Sequence, residues 1–211
     1  MNTRLLLAMG FAALGLAACS DPEATGRYLI DPPATGAQVP NRIGTAELLD
    51  VSLPEYAADQ EVMWQSADGA VRSNPDNLWA DSPQRGFTTA LAREISTVSG
   101  ATVIEEPWPL AEPPQRRVQV RVEKALAQSN GVYRLTGRYF VSDEGSGGVN
   151  HARSFDISVP LASDQPAAVA PALSQAISQL AQQIATLSGP GRAITTRTPA
   201  DPFALDPIFG S

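Results

Sequence analysis

The heptapeptide RVQVRVE, residues 117–123, decides the fold. Val118, Val120 and Val122 fall on one side. Arg117, Gln119, Arg121 and Glu123 fall on the other. A period of two belongs to an extended chain, whose successive side chains point to opposite faces. Apolar residues alternating with charged ones mark a strand buried on one face only, the habit of antiparallel sheets. Downstream, Ser129-Asn130-Gly131 reads as a turn. Val132–Val141 then carries Tyr133, Leu135 and Tyr139 at strand spacing. The glycine-rich stretch Glu144–Gly148 is a second turn, and Arg153–Val159 alternates Phe155, Ile157 and Val159 with polar partners. Three strands with short turns predict an antiparallel meander.

Two helices flank the meander in sequence. Val169, Leu173, Ile177, Leu180, Ile184 and Leu187 recur at spacings of three and four, the stripe of an amphipathic helix facing a core. Pro171 predicts a kinked or delayed first turn. On the upstream side, Ser82 suits an N-cap and Pro83 the first helical position. Phe87, Leu91, Ile95 and Val98 share one face, and Gly100 is a stop signal. Ala101–Glu105 has strand composition. Glu106–Pro114 holds four prolines and reads as loop. Nearer the start, Tyr28-Leu29-Ile30 predicts a short strand and residues 32–42 a loop. Gly44–Leu53 has strand character blurred by Glu47-Leu48-Leu49. Glu61–Gln65 and Ala70–Ser73 predict two short strands around Ala67-Asp68-Gly69. Residues 188–211 hold four prolines, three glycines and no period, so a flexible tail is expected over 189–211. The fold class that fits is α+β: a mainly antiparallel sheet with two amphipathic helices packed on one face. No internal repeat appears.

Residues 1–18 read as a targeting segment. Arg4 gives a short positive region, and Leu5–Ala18 is apolar and uncharged. That run is too short for a comfortable span, which needs about 20 apolar residues. It ends in Leu16-Ala17-Ala18-Cys19, and Cys19 is the only cysteine. A disulfide within the chain is therefore excluded, and a lone cysteine far from the lone histidine makes no zinc site. The stretch resembles the lipobox of bacterial lipoproteins, where small residues admit the peptidase and the thiol accepts the lipid. That resemblance implies cleavage before Cys19 and lipidation of Cys19. Each buried methylene of an acyl chain contributes about 0.8 kcal/mol of membrane affinity. Ser20, not aspartate, follows the cysteine, which favours retention at the outer membrane, facing the periplasm. Residues 19–26 then form a polar tether and residues 27–188 a single domain.

The chain carries 22 acidic and 15 basic residues, a formal charge of −7. Nucleic acid is a poor partner for such a balance, because neutralising phosphates needs clustered Lys and Arg. No G-x-S-x-G, P-loop, G-x-G-x-x-G or metal spacing is present, and nothing calls for a cofactor. His151 lies beside a turn with no nucleophile near it in sequence, and reads as a surface histidine. Glu105-Glu106 and Arg116-Arg117 read as solvated charge. Trp64, Trp79 and Trp108 suit a ligand groove or a core rim equally well. The chain does not read as an enzyme.

Taken in order, these features resemble the auxiliary lipoproteins of ABC-type transport systems, including the PqiC-type lipoproteins. The residues that carry the resemblance are LAAC (16–19), RYLID (27–31), LPEYA (53–57), NLWADSP (77–83) ahead of the helix containing LAREI, the strand meander, and the final helix ALSQAISQLA. The sequence departs from that pattern at Ala57, at Asp81 and at the inserted Ser82. The resemblance implies a non-catalytic, lipid-anchored component. It would accompany an MCE-domain protein, a permease and an ATPase that move lipids or other hydrophobic molecules across the envelope. A structural or assembly lipoprotein of the outer membrane is the alternative. An uncovered sheet face also invites a homo-oligomer. Phe203, Leu205, Ile208 and Phe209 are buried-type residues in the expected tail, and predict a docking peptide that orders on a partner.

Overall fold

The structure, a computed structural model, describes residues 25–33, 37–145 and 148–195. Its centre is the expected meander: β7 (Arg116–Ala127), β8 (Val132–Asp143) and β9 (Val149–Pro160) pair antiparallel in sequence order. The alternation of residues 117–123 is realised directly, with Val118 and Val120 fully buried and Arg117, Arg121 and Glu123 exposed. Register then shifts. Val122 lies opposite Gly137 and the next pair is Lys124 with Thr136, so Glu123 is an extra residue in β7. Beyond this bulge the phase reverses, and Ala125 and Ala127 take the core side.

The helices also lie where periodicity places them. Helix α2 (Pro83–Ser99) begins with Pro83 at its first turn and ends at Gly100, whose φ of 69° is readily adopted only by glycine. Ser82 makes no side-chain cap; Asp81 Oδ1 instead accepts the Ser82 N–H at 2.7 Å. Helix α3 (Val169–Ala185) follows a 3-10 turn at Pro166–Ala168. Pro171 does not delay it, because the first-turn N–H groups have no partner within the helix in any case. Phe87, Leu91, Ile95, Val98, Ile177, Leu180 and Ile184 are all buried against one face of the sheet. Burying each such side chain contributes about 1.5–3 kcal/mol. Between the helices, Ser178 Oγ donates to Glu94 Oε2 at 3.1 Å, and Glu94 is buried.

The rest of the sheet extends the meander on both sides. On one side β2 (Thr45–Leu48) lies parallel to β7 and to β6 (Thr102–Glu105). Helix α2 supplies the crossover that two parallel strands require. The same long edge of β7 is shared: β2 takes its start, Ser52 bridges to Arg121, and β3 (Trp64–Gln65) meets Ala127 at its end. β3 forms a hairpin with β4 (Val71–Arg72). On the other side β10 (Gly191–Thr195) pairs antiparallel with β9. This corrects the expected flexible tail: its first part is an edge strand, although all five residues are exposed. The early strand is also displaced. β1 is Gly26–Tyr28, paired parallel with β5 (Asn77–Trp79), which the pattern did not foretell. Nor did it foretell the single-turn helix α1 (Glu55–Ala58).

Candidate partner-docking surfaces

Cys19, Phe203, Leu205, Ile208 and Phe209 lie outside the described residues. The other residues singled out by sequence do not converge. His151 sits in β9 opposite Val141 and Ala193. Burial, then Arg153 and Arg116, hold its pKa below the ordinary histidine value, and its Nδ1 is buried without a hydrogen-bond partner. A ring whose charged form is disfavoured first by burial and then by two arginines is not poised with a carboxylate as an acid–base pair. Glu106 Oε1 accepts the Asp50 N–H at 2.7 Å and so does structural work. Arg116 and Arg117 diverge: the first donates to the Arg42 carbonyl, the second to Glu47. Trp79 is buried under the helices, Trp64 lies in β3 and Trp108 in the proline-rich loop, so no groove gathers the three. Among the described residues no cluster of His, Cys, Asp and Glu could hold a metal ion. No helix there is long and apolar enough to cross a membrane.

Two surfaces stand out instead. The first surrounds residues 28–31, which strap across the outer faces of α2 and α3. The Asp31 N–H donates to Ser174 Oγ at 3.0 Å, and Asp31 Oδ1 pairs with Arg93 Nη2 at 2.8 Å. The Tyr28 hydroxyl donates to Asn77 Oδ1 at 3.0 Å. Ile30 packs over Gly86, where a Cβ would come within 3.3 Å of Ile30 Cδ1. Leu29 remains 67% exposed on the strap. On the α3 side of the strap runs an open cleft of about 690 Å³, floored by Ala170, Ser174, Ser178 and Gln182. On the α2 side is a smaller one of about 210 Å³, lined by Arg85, Gly86 and Arg93. Sequence reading missed the α3 cleft, because its floor reads only as the polar face of an amphipathic helix.

The second surface is the sheet face turned away from the helices. At one border the loop 106–114 folds onto it through Glu47, which is 8% exposed. Glu47 Oε1 accepts the Trp108 N–H at 2.9 Å, and Oε2 accepts Arg117 Nε at 3.0 Å. Trp108 Nε1 donates onward to the Glu112 carbonyl at 2.7 Å. Away from that border the face is open. Phe140 stands on it half-buried, with Arg121 and Arg138 guanidinium carbons 5.5 and 5.4 Å from its ring centre.

The fold of a helix-backed sheet is shared with known proteins. A family model described as the ABC-type transport auxiliary lipoprotein component matches residues 28–185. The chain belongs to that family. The matched stretch runs from the last residue of β1 to the last residue of α3. The family is one of auxiliary transport components, and the match brings no catalytic assignment with it. None of the curated proteins compared matches the sequence. Among solved structures, an uncharacterized protein is similar at a TM-score of 0.59 and 19% identity, covering 72% of this chain and 98% of its own. Protein XCC0632 from Xanthomonas campestris, of the family DUF330, is similar at a TM-score of 0.53 and 15% identity, covering 76% and 93%. At these identities the likeness establishes the fold alone.

Proposed function

We propose that this auxiliary lipoprotein is anchored at the outer membrane through acylated Cys19. There it serves an MCE-type ABC transport system that moves lipids or other hydrophobic molecules across the cell envelope. The observation that carries this reading is the family match over residues 28–185, a few residues behind the lipobox LAAC at 16–19. The domain holds its partners by binding and performs no chemistry. The periplasmic MCE-domain protein is the direct contact, with the permease and ATPase behind it. Phe203, Leu205, Ile208 and Phe209 form a docking peptide that orders on that partner. Their apolar, buried-type character in a proline-containing stretch without period supports this.

Acylation and placement are tested together. Mass spectrometry of the N-terminal peptide should find acyl chains on Cys19, and density fractionation should place the protein with outer-membrane markers. An unmodified Cys19, or inner-membrane fractionation, contradicts the anchor and the location respectively. Deleting residues 196–211 spares β10 and should weaken partner capture while leaving the domain folded. Unchanged capture removes the docking peptide from the account.

A further inference from the structure

Arg121 and Arg138 are directly opposite one another across β7 and β8. Cross-strand neighbours on one face have Cβ atoms about 5 Å apart, and like charges placed so repel. The pair is held by sheet register, itself set by the bulge at Glu123. Both are exposed, and neither forms an ion pair among the described residues. The other arginines on the same face are already matched: Arg134 with Asp156, and Arg117 with Glu47 and Glu144. Among the described residues the Arg121 guanidinium donates only to Gln119 Oε1, at 3.3 Å. Phe140 is flanked by both guanidiniums and faces Gln119 and Ala152 on the adjoining strands. The open face therefore presents two arginines without an ion-pair partner among the described residues, fixed over a half-exposed aromatic ring.

We propose that this Arg121–Phe140–Arg138 patch is the docking site for a carboxylate-bearing segment of a partner protein. An Asp or Glu side chain would bridge the two guanidiniums, and an adjacent apolar residue would cover Phe140. Arginine is the residue suited to this, because its planar fork matches a carboxylate with two parallel hydrogen bonds. Charge selects the occupant. A second copy docked face to face would bring four guanidiniums together. An anionic bilayer would meet Glu123 beside Arg121 on the same face, on a chain whose formal charge is −7. A protein segment can place its carboxylate between the arginines and keep the rest of its chain clear of Glu123. The proposal rests on the reading that this lipoprotein works by binding a partner, and adds where that partner binds.

Photo-crosslinking in intact envelopes tests it. A benzoylphenylalanine in place of Phe140 is irradiated in the full-length anchored protein, and the adduct is mapped by peptide sequencing. The expected adduct is with one partner protein, at a peptide carrying Asp or Glu beside the linked residue. Its yield should fall at least ten-fold in R121Q/R138Q, and should fall with added salt. The double substitution removes a like-charge contact, so its thermal midpoint should match or exceed the parent's, which separates lost docking from lost folding. An adduct with lipid, with a second copy, or of undiminished yield in R121Q/R138Q overturns the proposal, as does the absence of any protein adduct. An acidic adduct on a protein unrelated to transport would uphold the patch and remove the MCE-transport reading.

Discussion

Gly137 lies where the register of the open face shifts at the bulge, and Gly137→Ala is the sharpest perturbation of that packing. Gly137 lies opposite Val122 on one side and Phe155 on the other, beside the bulge and one residue before Arg138. A Cβ built there would come within 2.8 Å of Phe155 Cζ and 3.0 Å of Val122 Cα, and closer still to the Arg121 carbonyl oxygen. Two of those three obstacles are backbone and cannot rotate away. Ordinarily Gly→Ala would stabilise by about 0.4–1 kcal/mol through the unfolded chain. Overpacking of this kind costs about 1–3 kcal/mol, and the backbone contacts place this site toward the upper end. The net loss is about 2 kcal/mol, or a fall of about 4–8 °C in thermal midpoint for a chain of this size. Circular dichroism melts of the chain from Ser20 onward measure it. Gly131→Asn is the control, since that turn glycine has a φ of 81° and open space around its Cβ. G137A/F155L should recover little, because the Arg121 carbonyl remains. A midpoint that is unchanged or raised in Gly137→Ala refutes the packing described at the bulge.

Three further outcomes follow from the same structure. His151 is the only histidine, and its folded pKa is depressed, chiefly by burial and then by Arg153 and Arg116. Its share of stability is therefore present above the unfolded value near 6.5 and lost as pH falls through the lower folded value. His151→Gln should flatten the loss of urea midpoint just below pH 6.5. Tyr139 behaves in the opposite sense. Burial pushes its hydroxyl up to about 12, and it donates toward the Gln183 and Ser188 carbonyls at the end of α3. Stability is full below pH 10 and declines as the unfolded tyrosine ionises, until the folded pKa is passed. Tyr139→Phe should make that alkaline decline shallower, though Tyr133, also raised by burial, keeps part of it. Glu47→Ala should release the loop 106–114. Hydrogen bonds to a charged group contribute about 1.5–3 kcal/mol each. Arg117 is half exposed, so the expected loss is about 2 kcal/mol. Hydrogen exchange at the Trp108 amide should accelerate, and unchanged exchange would mean that Glu47 does not hold the loop.

The legible parts of the fold were those whose two faces meet different surroundings. Residues 117–123 alternate because helices cover one side and solvent the other. The α2 and α3 stripes repeat for the same reason. β2 gave a blurred pattern because it is covered on both sides, by the helices and, through Glu47, by the loop carrying Trp108. What looked like a polar residue out of phase is the loop's anchor. β1 and β5 are three residues each and exist through their pairing across the chain, which no local period reveals. β10 is fully exposed, so nothing in its composition had to be apolar. The family signal was readable, because short motifs such as RYLID and NLWADSP sit at β1 and at the approach to α2. The arginine patch was not. Arg121 appeared as one more solvated residue, and only register, fixed by an extra residue at Glu123, sets it against Arg138.

On the proposed function, this lipoprotein is held at the membrane by Cys19 in order to serve an ABC transport system. A crosslinked pull-down from intact envelopes, comparing the parent chain with Cys19→Ala, tests it directly. An MCE-domain protein, with its permease and ATPase, should be recovered with the parent and lost with Cys19→Ala. Recovery of outer-membrane channel or cell-wall proteins in their place would contradict the transport role. A Cys19→Ala protein that stays on the membrane with the same partners would contradict the anchor itself.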